Sequence, residues 1–563
     1  MPTTAWFNTR RRITALYRYR KTLLSKVVIT CLCISFLARF LFDFEIMKWP
    51  VLTTTLGLGL GFASAGPGRK DAAAAAADLQ WYPPADTSIN NLDTVLRGTG
   101  VYGFIFNSSY TPDEKYGTYN WCNMPHVRKT EYVRPPAGYK LKYVEMIQRH
   151  HKRTPYAANA FPVESYHWDC DDQGLYYYGS PFEGDDKRPA NGYWQGFTSP
   201  VNPYVPSGWI GTCQFPQLTA AGLDDAYVHG EDIYGVYHDL LGFLPGRHED
   251  WRSKVAYRVT HNVITSQVAG MLIGGTWATT DSIPLLIEAV DIDSLEPQYP
   301  CAVGSELFNN IKSDENAAWR AHLDGAKDLY RILDDISGVP PDDEGFHESL
   351  DHYFDNLSAR QCHDKPLPCQ IGDASSGTCV DQNLADAVYR LGQWEYSHIY
   401  RDAPDSLAAS TSSFGVWIAQ LAAHLRAVVA GEDTPLYFHN VAHDGSVSRL
   451  LSILQIDVMF WPGMGSEVVF ELYERTKTET IVKAARDVKN ELSSEQKLSE
   501  ESGRGEYYVR VLFGGQVLRS SNPSLGVMDM LPVETLLNYF DGLVGREAGL
   551  VMGKCNGTIG ETR

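Results

Sequence analysis

The chain has 563 residues, of which 44% are hydrophobic, 21% charged and 12% aromatic. This is the composition of a soluble globular protein, long enough for one large domain with an insert or for two to three small domains. The formal net charge of −19 excludes a general nucleic-acid binder, because a protein that binds the phosphate backbone needs a basic face.

The N-terminal region 1–65 is basic and is predicted to be a targeting region, with nine Lys or Arg and two acidic residues. Residues 47–65 have the pattern of a secretory signal peptide: Lys48, an apolar run of about 12 residues, and a small-residue cleavage site at 63–65. This interpretation makes Met47 the working start and leaves residues 1–46 doubtful as protein. The alternative is a signal anchor that also uses the apolar stretch 27–42, which is short for a membrane span. We therefore expect a secreted, extracellular protein, with membrane attachment only if 27–42 is retained.

Cysteines and glycosylation sequons agree with secretion. Eight Cys follow the targeting region, at positions 122, 170, 213, 301, 362, 369, 379 and 555. Their even number predicts four disulfides, with 105 pairings open, and none has zinc-ligand spacing. The sequons predict glycosylation at Asn107, Asn356 and Asn556.

Taken in chain order, residues 66–95 are predicted to be a linker. The six-alanine run within 66–80 leaves an alanine-rich first helix as the alternative. A predicted strand over 141–147 ends in a polar loop, which is where an open α/β sheet places ligands. Thr219 is predicted to cap a helix, and the apolar segment 255–272 is predicted to be mostly helical.

Residues 301–430 are predicted to be largely helical, with three apolar stripes at helical spacing. A second strand over 436–442 ends at His443-Asp444, and a helix is predicted from about Ser446. A late strand over 507–511, a turn and a partner strand over 516–518 follow. The pattern predicts an α/β fold with a doubly wound mixed sheet and helices on both faces. Its first core part is 96–300, its inserted helical cap 301–430 and its second core part 431–563.

The segment Arg149-His150-x-x-Arg153-x-Pro155 carries the most specific chemical signal. It places an imidazole between two guanidiniums, whose planar forks match phosphate oxygens. A neutral imidazole can attack phosphorus and hold the phosphoryl group covalently. The later pair His443-Asp444 also lies between a strand end and a helix start, where phosphate is attracted and a carboxylic acid can protonate a leaving oxygen.

Residues 149–155 resemble the Arg-His-Gly-x-Arg-x-Pro motif of the histidine acid phosphatases, which include the phytases, and His443-Asp444 resembles their later His-Asp motif. Residues 217–222 and 508–512 resemble the family's Leu-Thr-x-x-Gly helix start and its late strand. The resemblance implies a histidine phosphatase-like fold and an acidic pH optimum, with no metal or other cofactor. It also implies site roles: His150 as nucleophile, Asp444 as proton donor, and Arg149, Arg153 and His443 as phosphate ligands.

Two positions depart from the family pattern. His151 stands where the family has Gly, so its side chain is expected to narrow the pocket or to alter the backbone. The alignment places Asn262 where the family has a third phosphate-binding Arg. Either Arg258, four residues earlier, fills this role, or activity is weak or specialised. Losing one such donor costs about 10²–10³ in rate.

The sequence thus predicts a secreted acid phosphomonoesterase that works through a phosphohistidine on a small-molecule phosphate monoester. Inositol phosphates, sugar phosphates and generic organic monoesters all remain open as substrates. The alternative is a catalytically impaired relative that binds phosphorylated ligands without turning them over.

Overall fold

A computed structural model describes residues 77–101, 120–162, 166–170, 197, 199, 201–204, 210–214, 216–370, 378–476 and 505–559. The predicted targeting region 1–65 and the sequon at Asn107 lie outside the described residues.

The described strands form one mixed sheet. They are β1 (Tyr139–Arg149), β2 (Val255–Val259), β3 (Leu286–Ile287), β4 (Tyr437–Ala442), β5 (Glu467–Arg475), β6 (Tyr507–Phe513), β7 (Gln516–Val517) and β8 (Leu531–Pro532). Their order is β3-β2-β4-β1-β5-β6-β7, and β8 pairs with β6. The neighbours from β3 to β1 pair in parallel, whereas β5, β6, β7 and β8 pair antiparallel. The parallel half therefore directs four carboxyl ends to one edge of the sheet, where α/β proteins bind ligands.

Helices connect and cover these strands. The α-helices are α1 (Leu92–Arg97), α2 (Ala220–Tyr234), α3 (Val263–Trp277), α4 (Ala302–Ile311), α5 (Ala317–Ser337), α6 (Glu344–His347), α7 (Asp351–Cys362), α8 (Gln382–Ser397), α9 (Ser406–Ala430), α10 (Asp444–Ile453), α11 (Val533–Val544) and α12 (Val551–Cys555). π-Helical turns continue α2 over Gly235–Leu240 and α8 over His398–Asp402. Short 3₁₀ turns occur at Ala157–Asn159, Arg252–Lys254 and Arg546–Ala548.

Alternate residues of β1 point to opposite layers. Val144 and Met146 belong to an apolar cluster with α2 and α3, whereas Tyr143 and Ile147 belong to a larger cluster that includes α9, α10 and α11. Seven of the eleven residues of β1 are buried, as expected for a central strand covered on both faces. The predicted α/β class, a mixed sheet with helices on both faces, is confirmed.

Most predicted elements are found, and the segment 255–272 is helical over ten of its eighteen residues, although it also contains a strand that was not predicted. Its first five residues form β2, and α3 begins only at Val263. The side chain of Asn262 accepts the backbone N–H of Ile264 at 3.3 Å and caps α3. The apolar run spans two buried elements, and a continuous apolar run does not reveal where a buried strand gives way to a buried helix.

The segment predicted to be a helical cap is helical, but its last helix, α9, packs directly on the sheet. On α9, Trp417 donates its Nε1–H to Asn440 of β4 at 3.5 Å, and His424 lies 2.9 Å from Glu145 of β1. Among the described helices, α9 is the one long and apolar enough to cross a membrane, and half of its most apolar window is buried within the fold. It is therefore placed as a core helix.

Residues 77–95 differ from the predicted linker because they pack on the core. Trp81 donates its Nε1–H to the carbonyl of Arg401 at 3.1 Å, and the backbone N–H of Tyr82 donates to the side chain of Gln455 at 2.7 Å. Val95 on α1 is buried. Burying the aromatic and apolar side chains of this segment stabilises the fold, whereas a solvated linker would leave them exposed to water.

All eight Cys of the region after 65 form disulfides, which confirms the predicted number. The pairs are Cys122–Cys362, Cys170–Cys213, Cys301–Cys555 and Cys369–Cys379. Two of them join residues more than 200 positions apart, at separations of 240 and 254. These two connect the helical block to the segments before and after it.

Candidate active site

The two sequence motifs meet because β1 and β4 are parallel neighbours. Arg149 pairs with Ala442 in register, and the backbone N–H of His150 donates to the carbonyl of Ala442 at 3.0 Å. The residues that follow each strand, His150 and His443, therefore emerge side by side, with ring centroids 5.5 Å apart. Side chains nearly 300 positions apart in sequence thus share one site.

The His150 ring is buried and has a defined tautomer. Its Nδ1 lies 2.9 Å from the carbonyl oxygen of His151. Because a carbonyl oxygen only accepts, Nδ1 carries the proton and Nε2 keeps its lone pair. Burial and then the positive charges of Arg153 and Arg149 lower the pKa of His150 well below its ordinary value. The imidazole therefore stays neutral and nucleophilic under acidic conditions.

Arg149 is buried and held in place beside His150. One terminal nitrogen donates to the carbonyl of Pro462 at 2.5 Å, and the other lies 3.2 Å from Oδ2 of Asp444. Its guanidinium carbon stands 4.7 Å from the ring centroid of Trp121. Its Nε–H has no hydrogen-bond partner within the described part of the chain, so a donor remains for an anion.

Arg153 is anchored by a residue of the helical block, Asp355. Its Nη1 donates to Asp355 of α7 at 3.0 Å and to the carbonyl of Thr154 at 2.8 Å. Asp355 also accepts the backbone N–H of Tyr156 at 3.1 Å and the side-chain amide of Asn159 at 2.8 Å. The Nε of Arg153 likewise has no partner among the described atoms. Asp355 therefore orients a guanidinium that keeps donor capacity for a phosphate oxygen.

Asp444 opens α10 and faces Arg149. Its Oδ1 accepts the backbone N–H of Gly445 at 2.8 Å. Its Oδ2 accepts the Nε1–H of Trp461 at 2.7 Å and the hydroxyl of Tyr396 at 3.2 Å. Burial raises the pKa of Asp444, but the charge of Arg149 and the hydrogen bond from Trp461 outweigh burial, so the pKa falls below its ordinary value. The carboxyl group is therefore ionised in the empty site.

His443 completes the cluster and has an acidic neighbour. Its Nε2 lies 2.9 Å from the hydroxyl of Thr260 and 3.6 Å from Oε2 of Glu296. A carboxylate at this distance opposes the binding of an anion to His443, because like charges repel.

Arg258 is not brought into this cluster, and the prediction that it supplies a third phosphate-binding guanidinium is wrong. It donates to Gln420 at 2.8 Å, to Glu288 at 2.6 Å and to Ser294 at 2.9 Å. These partners engage both terminal nitrogens, and Nη2 also lies 3.8 Å from Oδ1 of Asp293. The side chain of Asn262 caps α3 instead, so neither candidate position provides the family's third guanidinium.

The side chain of His151 does not narrow the pocket, because it points into the buried layer beneath the motif loop. Its ring packs against the backbone of Gly465, which has a φ of +72°. A Cβ at that glycine would stand 2.5 Å from Cε1 of His151. His151 can therefore occupy the position that is glycine in the family, because Gly465 on the facing loop leaves room for its ring.

Beneath this ring, buried donors and acceptors form a continuous chain. The Nε2 of His151 lies 3.3 Å from Nδ1 of His229, whose Nε2 lies 2.9 Å from Glu467. Burial lowers the pKa of both histidines and raises the pKa of Glu467, although His126 opposes the latter. Burial favours the uncharged form of all three groups, and in that form Glu467 can donate to His229 and His229 to His151.

The same chain continues to β4 through Gln148. The amide nitrogen of Gln148 lies 3.3 Å from Nε2 of His151, and its oxygen lies 2.8 Å from Nε2 of His439. Because an amide oxygen only accepts, Nε2 of His439 carries the proton and its Nδ1 accepts the hydroxyl of Tyr437. Burial lowers the pKa of His439 to about 3. Burial therefore favours neutral groups throughout the polar support of the motif loop.

Two of the predicted glycosylation sites fall on described residues, and they differ. Asn356 is fully buried, with its amide nitrogen 2.9 Å from the carbonyl of Asn159 and its oxygen accepting from Arg360 at 2.8 Å. The prediction at Asn356 is wrong for the folded chain, because the nitrogen that would carry the glycan is not accessible. Asn556 is exposed, and its side chain accepts from Thr558 at 2.7 Å. Glycosylation there stays a prediction.

Several site residues were not found from the sequence. They are Thr260, Glu296, Asp355, Tyr396 and Trp461, none of which belongs to a motif, although Thr260 lies between Arg258 and Asn262. Asp355 alone carries a local signal, because it is an acidic residue on a buried helical face. The others reach the site only through tertiary packing.

Comparison with known proteins finds distant structural neighbours. No protein-family model matches the chain, and no curated protein matches it. The phytase of Klebsiella sp ASR1 aligns with 15% identity over 74% of this chain and 97% of its own, with a TM-score of 0.42. The apo form of Hafnia alvei phytase aligns with 11% identity over 74% and 99%, with a TM-score of 0.45. The Bifidobacterium longum multiple inositol polyphosphate phosphatase aligns with 13% identity over 71% of this chain and 92% of its own, with a TM-score of 0.39. These likenesses by themselves assign no activity to this chain.

Proposed function

We propose that this chain is an acid phosphomonoesterase that transfers the phosphoryl group of an ester to Nε2 of His150 and then to water. One observation carries the proposal: the hydrogen bond from Nδ1 of His150 to the carbonyl of His151, which leaves an unprotonated Nε2 beside two anchored guanidiniums. A neutral nucleophile within a cationic pocket is what phosphoryl transfer requires of a protein.

In the first step, Nε2 of His150 forms a bond to phosphorus as the ester P–O bond breaks. The leaving oxygen takes a proton from the carboxyl group of Asp444. In the second step, water attacks the phosphohistidine and gives a proton to the Asp444 carboxylate, and the P–N bond breaks. The products are an alcohol and inorganic phosphate, and the enzyme returns to its starting state.

The ionised state of Asp444 in the empty site is compatible with this donor role. Its pKa is held down chiefly by Arg149, at 3.2 Å. A bound phosphate dianion draws on the same guanidinium and adds negative charge, and both effects raise the pKa of the carboxyl group. The proton is therefore acquired together with the substrate, and acidic conditions favour the step.

The test is the release of p-nitrophenol from p-nitrophenyl phosphate at about pH 4–5, where the donor is protonated with substrate bound. We expect wild type to be active and His150→Ala to lose more than roughly 10⁴-fold in kcat. Rapid alkaline quenching should trap a phosphohistidine at position 150 in wild type. The matched control is His248→Ala, at an exposed histidine, which should retain activity.

A second candidate function is a phospholigand-binding protein without turnover. The observation that favours it is that Arg258 and Asn262 are engaged with other partners, which leaves Arg149 and Arg153 to hold phosphate without a third guanidinium to stabilise the transferring group. This candidate predicts that wild type and His150→Ala bind inorganic phosphate equally in titration calorimetry and that neither releases p-nitrophenol. Turnover by wild type alone excludes it.

We also infer that the protein is secreted. The support is the signal-peptide pattern at 47–65 and four disulfides, which persist in oxidising compartments. N-terminal sequencing of the natural product should give a start near Gly66. A start before Met47 contradicts the inference and supports a signal anchor.

A further inference from the structure

Three buried ligand atoms converge beside the candidate active site. They are Nδ1 of His261, Oδ2 of Asp293 and Oε2 of Glu296, all within 4.8 Å of one another. His261 follows β2, and the two acids follow β3, its parallel neighbour. The cluster therefore lies at the same edge of the sheet as His150 and His443.

Each of these three atoms lacks a hydrogen-bond partner among the described residues. Asp293 is fully buried, and its other oxygen is already used, accepting the backbone N–H groups of Leu295 at 2.9 Å and Glu296 at 3.3 Å. The backbone N–H groups of this loop thus hold the carboxylate so that its free oxygen points into the cluster. Leaving a buried carboxylate oxygen unpaired is costly.

Protonation of His261 does not satisfy the cluster. Its Nδ1 lies 3.2 Å from Glu296 and 3.7 Å from Asp293. Oδ2 of Asp293, at 3.7 Å, is beyond hydrogen-bond distance of that N–H and stays unpaired. A cation between the three atoms satisfies all of them.

We propose that His261, Asp293 and Glu296 bind one divalent first-row transition cation, Zn²⁺ or Mn²⁺. Ligands at about 2.0–2.2 Å from zinc in a tetrahedral arrangement lie about 3.4 Å from one another, which is close to the two separations from His261. One imidazole and two carboxylates favour these cations over Mg²⁺ and Ca²⁺, which prefer all-oxygen sites. Three protein ligands leave a coordination position open for water or a phosphate oxygen.

The position of this site gives the cation a role, which rests on the proposed phosphatase function. Oε2 of Glu296 lies 3.6 Å from Nε2 of His443. Without a cation, Glu296 and Asp293 place negative charge next to the phosphate pocket. With one, the charges of the two carboxylates are neutralised on the side where the family's third guanidinium is missing. The cation thereby removes the repulsion between these carboxylates and a phosphate, so the affinity for phosphate depends on the metal.

The first experiment measures binding without substrate. Chelator-stripped wild type is titrated with Mn²⁺ alone and followed by electron paramagnetic resonance, with Zn²⁺ competition. We expect wild type to bind one equivalent of Mn²⁺ per chain. The affinity should fall about 100-fold or more in Asp293→Asn and in His261→Asn, which alters a partly buried residue. Asp291→Asn is the matched control, because Asp291 is an exposed acid on the same loop. No binding by wild type, or equal binding by both site variants when circular dichroism shows them folded, overturns the proposal.

The second experiment tests the role. Inorganic phosphate is titrated into stripped and Zn²⁺-loaded protein, and we expect roughly tenfold or tighter binding with Zn²⁺ in wild type and Asp291→Asn but not in Asp293→Asn. If the cation binds without any effect on phosphate affinity, the proposed role in phosphate binding is wrong, while the cation site itself stands. The proposed phosphatase is judged separately, from the loss of turnover in His150→Ala.

Discussion

At the scale of single residues, the protonation state of Asp444 is set by competing neighbours. Burial favours the neutral acid, while Arg149 and the indole N–H of Trp461 favour the carboxylate. The balance lies on the side of the carboxylate until an anion engages Arg149. The surroundings of this one side chain therefore determine the pH range over which a proton can be donated.

Trp461→Phe tests this balance. Removing the hydrogen bond at 2.7 Å raises the pKa of Asp444, because that bond stabilises the charged form. A donor must be protonated, so the alkaline fall of kcat/KM should move to higher pH by roughly one unit. The control is Trp277→Phe, which removes a buried indole donor to Tyr257 in the other layer. A profile that is unchanged, or shifted to lower pH, contradicts the donor role.

Glycan occupancy is a second residue-scale prediction. The sequon at Asn556 is exposed, whereas the amide of Asn356 is buried and hydrogen-bonded. Glycopeptide mass spectrometry of protein from a eukaryotic secretory host should therefore find a glycan at Asn556 and none at Asn356. An occupied Asn356 would show that modification precedes the packing of α7.

The sequence predicted the contiguous part of the site and missed the rest. His150, Arg149, Arg153, His443 and Asp444 are recognisable because each motif lies directly after a strand, and parallel neighbours bring such positions together. Arg258 was misplaced because distance along the chain does not show which face of β2 a side chain occupies. Glu296 and Trp461 have no local pattern, since only packing brings them to the site.

At the scale of elements, the loop after β1 and the loop before β5 fit together through one ring and one glycine. Gly465 donates its backbone N–H to the carbonyl of His150 at 3.0 Å, while the ring of His151 fills the space that a Cβ would need. The backbone geometry that sets the His150 tautomer therefore depends on the facing loop. Sequence patterns missed this contact, because β5 was not predicted and a glycine carries no periodic signal.

A double-mutant cycle tests this contact. Gly465→Ala should destabilise the protein by about 1–2 kcal/mol for its positive φ, with an added steric cost from His151. In the His151→Ala background the steric part is relieved, so urea unfolding should show a coupling of about 1 kcal/mol or more. Gly242→Ala is the control, because Gly242 has a φ of +60° and open space around its Cβ position. Equal costs of Gly465→Ala in both backgrounds contradict the contact.

At the scale of the whole molecule, the polar groups buried beneath the site make stability depend on pH. His439 has a pKa of about 3 when folded and an ordinary value of about 6.5 when unfolded. Below about 6.5 the unfolded state therefore binds more protons, and this histidine's contribution to stability falls as pH falls. Glu467 acts in the opposite sense, because its folded pKa is raised.

His439→Gln isolates the histidine term. Between about pH 6.5 and 3, the variant should lose less stability per pH unit than wild type, by at most about 1.4 kcal/mol per unit. The measurement is the free energy of unfolding in urea across that range. His248→Gln, at an exposed position, is the control and should keep the wild-type slope. If His439→Gln also keeps that slope, the buried ring is not neutral.

The sequence pattern predicted a mixed sheet with an inserted helical block, but not the order of the strands or the edges of the parts. The predicted boundaries treat α9 as cap and residues 77–95 as linker, while both pack on the core. Composition shows that a segment is helical or alanine-rich, and it does not show which surface that segment covers. The number of disulfides was predictable from the cysteine count, whereas their pairing needed the fold.

That pairing has a consequence for how damage to the chain is detected. The loops closed by Cys122–Cys362 and Cys301–Cys555 overlap. A single proteolytic cut at any point between Cys122 and Cys555 therefore leaves its two fragments covalently joined. On a non-reducing gel such a nicked molecule migrates as one species, and only thiol treatment separates the pieces.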